Sequence, residues 1–125
     1  MPGSEGLRLH ATVLGAPDPL ALADFYGRLL GWDIRTQEPD WVTLANPSGG
    51  PGLSFQLEDG YRRPVWPEQP GEQQMLVHLD LLVDDLAAAC AHAEAVGAEL
   101  AAFQPQDDVR VYFDPAGHPF CLFEH

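Results

Sequence analysis

His78, Asp80, Gln56 and Cys121 are the residues of this chain best suited to chemistry. His78 and Asp80 stand two apart in the apolar–polar alternation that runs from Leu76 to Leu81. Strand side chains at i and i+2 project to one face, so an imidazole and a carboxylate are expected side by side. Such a pair fixes a tautomer and can move a proton. His78 is therefore a candidate general base and Asp80 the group that orients it, the two candidate catalytic residues. The blander alternative is a histidine satisfied in a packed interior, with Asp80 bonded to a backbone amide. Cys121 would be a nucleophile only if a neighbouring base or cation lowered its pKa; His78 could serve, but no arginine is placed to help, and an inert lining role is expected. Trp41, Trp66, Phe103 and Tyr112 are candidate walls of an apolar pocket, against the alternative of ordinary core. Trp66 stands apart from the other three, because an indole in a Pro-rich stretch must find a surface to cover. The expected ligand-binding set is thus Trp41, Gln56, Trp66, His78, Asp80, Phe103, Tyr112 and Cys121.

Two similar units position these residues. In the first, Leu7–Gly15 reads as a strand, Asp18 as an N-cap and Pro19 as the first helical residue. Leu22, Phe25, Tyr26, Leu29 and Leu30 recur at helical spacing, and Gly31 is placed to end the helix in a left-handed turn. Trp32–Thr36, Trp41–Ala45 and Leu53–Leu57 read as strands, separated by Pro- and Gly-rich turns. Residues 59–75 carry Pro64, Pro67 and Pro70 and read as an ordered linker, since Tyr61, Val65 and Trp66 would not be left in water without cause. The pattern then repeats. Leu76–Val83 is a strand, and Asp84 or Asp85 caps a helix through Val96, with Leu86, Ala89, Cys90, Ala93 and Val96 as its buried stripe and Gly97 closing it. Glu99–Phe103, Val109–Phe113 and Phe120–Phe123 are the last three strands. The chain is βαβββ twice: module one at about 7–58 and module two at about 76–125, one domain in all. Aligned cap on cap, Ala11 falls opposite His78; at the far ends, Phe55-Gln56-Leu57 matches Phe120-Cys121-Leu122 if the first hairpin is three residues longer. His118, His92 and His125 are expected to be structural or solvated.

Composition narrows the function. A chain of 125 residues with 46% hydrophobic and 20% charged residues can build a core without staples. Its net charge is −13, with six arginines and no lysine, which disfavours binding to nucleic acid or anionic membrane. Cys90 and Cys121 have no metal-knuckle or disulfide-framework spacing. The first ten residues lack an apolar signal core and no apolar run approaches membrane-span length. The expected location is cytoplasmic.

The paired βαβββ pattern, the "FYGRLLGW" of the first helix and the DPxG turn before the last strand resemble the vicinal oxygen chelate superfamily, which includes glyoxalase I, extradiol dioxygenases and the fosfomycin and bleomycin resistance proteins. Trp66-Pro67, Gln73-Gln74, "HLDLLVDDL" and "DPAGHPFCL" are similar to a glyoxalase-like group common in actinobacteria. The resemblance runs from Leu9 to Phe123. It implies an α+β fold of two βαβββ modules, with curled mixed sheets around a cavity and helices outside. It also implies a homodimer, for which the first helix has apolar surface to share. In metal-dependent members, four inward residues hold a divalent ion; carried over, these positions fall on Ala11, Gln56, His78 and Cys121. Ala11 has no donor and both carboxylates are missing. A thiolate can bind zinc, but one imidazole, one amide and one thiol make a poor set for a catalytic ion. No metal and no cofactor are expected.

Two functions follow. The first is a metal-free glyoxalase-like protein that holds a small organic molecule in an apolar cavity, for sequestration or sensing, with Gln56, His78 and Asp80 as polar contacts. The second is an enzyme of lyase or isomerase type, using His78 as base or a divalent metal. Fold alone does not choose between them.

Overall fold

Local signals place each helix before any tertiary contact forms. In the computed structural model, which describes residues 3–125, α1 (Pro19–Leu30) begins where Asp18 accepts a bond from the Ala21 amide at 3.1 Å. It ends at Gly31, in the left-handed region at φ 72°. The second helix, α2 (Leu86–Ala95), repeats the start: Asp85 accepts from the Ala88 amide at 3.0 Å. Glu124 adds a second acceptor there, for the Leu86 amide at 2.9 Å. Side-chain oxygens at these positions satisfy amides that the helix itself cannot.

The strands of module one are β1 (Ala11–Ala16), β2 (Ile34–Glu38), β3 (Trp41–Leu44) and β4 (Gly52–Leu57), in the sheet order β1-β4-β3-β2. Module two has β5 (Leu79–Leu82), β6 (Glu99–Leu100), β7 (Val109–Phe113) and β8 (Pro119–Phe123), in the order β5-β8-β7-β6. In each sheet the first strand runs parallel to the last and the other pairs are antiparallel. The α+β class and the doubled βαβββ pattern are therefore as the sequence implies. Three strands are shorter than expected. Leu7 and Leu9 lie outside β1 at 76% and 75% exposure, and Leu76 lies outside β5 at 80%. Alternation supplies a face but no partner: β1 pairs only along Gly52–Leu57, and β5 only along Phe120–Phe123. For the same reason β6 is just two residues, paired to Tyr112 and Phe113.

One core joins the modules. Tyr26 stacks on Phe55 of β4 at 5.8 Å and meets Phe120 of β8 edge-on at 6.1 Å; Phe120 in turn stacks on Tyr112. Aromatic packing thus runs from one sheet through α1 to the other, and Leu14, Leu22, Val42 and Leu122 fill around it. The space between the helix-bearing faces is full, and any hollow must lie on the opposite faces. Leu22, Phe25 and Tyr26 of the apolar stripe of α1 are buried inside the chain, while Leu29 and Leu30 are half-buried and Leu20 is exposed.

Polar bonds reinforce the junction. The Tyr26 hydroxyl donates to buried Asp114 at 2.7 Å, and the other Asp114 oxygen accepts from the amides of Ala116 and His118. His118 Nε2 lies 2.7 Å from the Gly15 carbonyl, which can only accept, so that nitrogen carries the hydrogen. His92 Nε2 reaches the carbonyls of Arg28 and Leu29 at the end of α1, a favourable place for a donor. The Pro-rich linker is ordered as expected: Tyr61 donates to the Ala116 carbonyl and Arg63 to that of Pro115. Gly117 lies under Arg63 at φ 93°, and a Cβ there would come within 2.3 Å of the Arg63 side chain. Among the described residues, no helix is long and apolar enough to cross a membrane.

Candidate functional site

The open face of module two carries a converging set of donors. Asp80 on β5 is paired across the ladder with Cys121 on β8, and His78 lies just ahead of β5 on the same side. His78 Nε2 is 3.1 Å from Asp80 Oδ1, and donor atoms of His78, Asp80 and Cys121 all lie within 4.8 Å of one another. The imidazole and carboxylate are exposed, so they face solvent and any ligand. The Cys121 thiol is hydrogen-bonded to Asp80, and its pKa is raised, first by burial and then by that carboxylate. A nucleophilic thiolate needs the opposite shift.

Module one does not complete a four-position metal site. Val13 and Asp80 each stand five residues before their helix cap, and they pair with Ser54 and Cys121, so the module-one counterpart of Cys121 is Ser54 and not Gln56. Gln56 stands against Gly15, separated from Ala11 by the length of Ala11–Gly15. That is roughly 13 Å along a strand, whereas a metal bond spans about 2.0–2.3 Å. Ala11 has no donor atom, and Gln56, whose Nε2 donates to Glu58 Oε1 at 2.8 Å, offers only a neutral carbonyl oxygen. The donors present therefore do not fit the four-position ion of the metal-dependent members. What remains is the nitrogen, oxygen and sulphur of module two, a set of thiophilic character.

The expected aromatic wall is dispersed. Trp41 lies on β3 and lines a cavity over module one's open face, together with Thr43 and Ser54. Trp66 packs on Phe103 at 5.8 Å and Phe113 at 6.4 Å, against module two. Tyr112 is corrected from wall to core: it is 1% exposed, stacked on Phe120 on the helix side, and donates to Glu94 at 2.6 Å. The error is one of strand face, since Val111 and not Tyr112 shares a rung with Cys121.

The sequence reading missed two contributors. Asp114 was legible as the first residue of the DPxG turn, but its partner Tyr26 lies 88 positions away. Arg35 was passed over because a register shift between Ile34 and Thr36, invisible in composition, sets its direction.

Paired βαβββ modules and two open mixed sheets are the architecture of the vicinal oxygen chelate class. A glyoxalase-like domain model matches residues 11–123, and the chain belongs to that family. Among solved structures, it is similar to a glyoxalase/bleomycin resistance protein/dioxygenase family enzyme from Burkholderia phytofirmans PsJN, with 19% identity, 94% of this chain and 98% of that one covered, and a TM-score of 0.71. A glyoxalase family protein from Enterococcus faecalis matches at 25% identity, with 95% and 98% covered and a TM-score of 0.68. Lactoylglutathione lyase from Agrobacterium tumefaciens matches at 17% identity, with 96% and 95% covered and a TM-score of 0.64. No match was found among curated proteins.

Proposed function

We propose that this glyoxalase-like protein binds a small organic molecule on its open sheet faces, for sequestration or sensing, without the four-position divalent ion of its metal-dependent relatives. The observation that carries this reading is the contrast between module one, where Ala11 and Gln56 do not converge and bring no charged donor, and module two, where His78 and Asp80 lie together as exposed polar groups. Ligand sites combine an apolar lining with a few convergent polar groups, and the exposed His78–Asp80 pair supplies such groups.

A thermal-shift screen of metabolites and aromatic antibiotics tests it. A ligand that binds the folded state raises the melting temperature by mass action, and His78→Ala should weaken that response. Elemental analysis of the purified protein should find no stoichiometric Zn, Ni, Mn or Fe, and a full equivalent would overturn the metal-free assignment. Pairing with a second copy belongs to the same proposal. Apolar surface for it is on the strands next to the sheet edges, Val13 and Leu82 among them, and at Leu20 of α1, and light scattering would report the mass.

The second reading, an enzyme of lyase or isomerase type, is favoured by one observation: the 3.1 Å contact between His78 Nε2 and Asp80 gives a base its orienting group. Turnover of an α-keto aldehyde hemithioacetal that His78→Ala abolishes would select it.

A further inference from the structure

Module one's open face holds a cavity of about 490 Å³ over β2, β3 and β4, inside the range of roughly 300–1,000 Å³ typical of small-molecule pockets. In a chain with 19 acidic residues, its lining contains none. Three other depressions on this surface each carry carboxylates: Glu58 in one, Asp84 and Glu124 in the next, Glu99 in the third. The smaller depression beside the cavity shares His10, Gly49 and Gly50 with it and adds Arg8, again without an acid. Positive and neutral groups have been gathered at one place on a strongly negative molecule.

The ladders explain how. Thr36, Thr43 and Ser54 stand on one rung across β2, β3 and β4, which lines three hydroxyls up on the face away from α1. Thr43 Oγ1 is buried and has no hydrogen-bond partner among the described residues. Arg35 is the residue inserted at the register shift between Ile34 and Thr36, and both Arg35 and Thr36 line the cavity. A bulge re-aims a side chain out of strict alternation, and here Arg35 borders the same cavity as the hydroxyl row. Among the described residues that guanidinium has no carboxylate within ion-pair distance, whereas Arg28 and Arg63 do. Trp41 closes the cavity with an aromatic wall.

We propose that this cavity binds a small aromatic carboxylate, with Arg35 as its anchor. The guanidinium fork matches a carboxylate with two parallel N–H···O bonds. The Thr43 hydroxyl donates to the same anion, and the ring lies against the Trp41 indole. A single guanidinium neutralises a monoanion and leaves a phosphate dianion under-compensated. The cavity contains neither His78 nor Asp80, so the proposal goes beyond the reading above and gives module one a binding place of its own, with its ligand class and anchoring residue.

Isothermal titration of the full chain with benzoate and indole-3-acetate, beside benzamide and indole-3-acetamide, tests it. At least one acid should bind with unit stoichiometry and about tenfold or more tighter than its amide, the discrimination a charge-assisted pair gives. Arg35→Gln should remove that preference, and Thr43→Val should weaken the acid several-fold. Arg62→Gln, which changes the net charge equally, should leave binding as it was. Acid and amide binding alike, or an Arg35→Gln protein that keeps the preference, overturns the carboxylate assignment while the small-molecule reading stands. Absence of binding by both acids also overturns it, and if a broad neutral library gives no thermal shift either, both readings fall. Arg35 is exposed, so its variant is expected to fold, which circular dichroism would verify.

Discussion

The same turn occurs twice in this molecule and has been put to different ends. In module two, Asp114-Pro115-Ala116-Gly117 bends the chain before β8: Asp114 Oδ1 accepts from the Ala116 amide at 2.9 Å, and the Gly117 amide donates to the Asp114 carbonyl at 2.9 Å. In module one, Asn46-Pro47-Ser48-Gly49 does likewise before β4: Asn46 Oδ1 accepts from the Ser48 amide at 2.9 Å and the Gly49 amide donates to the Asn46 carbonyl at 3.0 Å. Both glycines have positive φ, 85° and 93°. The surroundings differ. Asp114 is buried, bonded to Tyr26 and roofed by the linker, whereas Asn46 and Gly49 border the open cavity. A repeated local motif fixes backbone geometry and leaves its use to what packs on it. Here one copy clamps the halves together and the other frames an open cavity.

If the junction around Asp114 is what makes the two halves one cooperative unit, its removal should be felt most. Phe120→Ala takes away the ring between α1 and Tyr112 and is expected to destabilise by about 3–5 kcal/mol. Urea unfolding should remain a single transition; two separated transitions would show that the halves are independent. Next in size, Gly117→Ala combines left-handed strain with a collision on Arg63. A loss of about 1–3 kcal/mol is expected, drawn from the usual range for special backbone positions. Arg63→Ala in the same chain should recover part of it, while Gly49→Ala, with nothing near its added methyl, should lose only the strain component.

The helix caps give a smaller contrast. Asp18→Ala should cost about 1 kcal/mol of stability in denaturant titration, and Asp85→Ala no more than that. Glu124 still serves the first amide of α2, whereas the first residue of α1 is Pro19, which has no N–H to serve. The smallest effect concerns alkaline pH. Burial, then the Asp114 charge, push the Tyr61 hydroxyl up to about 12. A pKa raised on folding stabilises below the unfolded value and loses that contribution as pH climbs through the folded one. Tyr61→Phe should therefore flatten the fall in stability between about pH 10 and 12, and an unchanged slope would mean that the other raised tyrosines, Tyr26 and Tyr112, account for it.

Legibility followed the range of the interaction. Both caps, both helical stripes and the doubled strand order could be read from neighbours in sequence, and so could the shared face of His78 and Asp80. The strand starts at Leu7 and Leu76 could not, because apolar alternation continues beyond the rungs available on β4 and β8. The separation of Ala11 from Gln56, the core position of Tyr112 and the aim of Arg35 all depend on register, which is set by pairing between segments far apart in the chain. The His78–Asp80 pair was thus visible because it is local, and the cavity of module one was not, because register makes it.

The Tyr26–Asp114 bond and the aromatic packing around it also bear on the segment at 59–75 that carries the chain from one half to the other. Since side chains already fasten the halves through α1, a single protease cut in that segment should yield two fragments that travel together as one particle in non-denaturing separation. The covalent thread there guides assembly, and the finished protein would hold its shape after losing it.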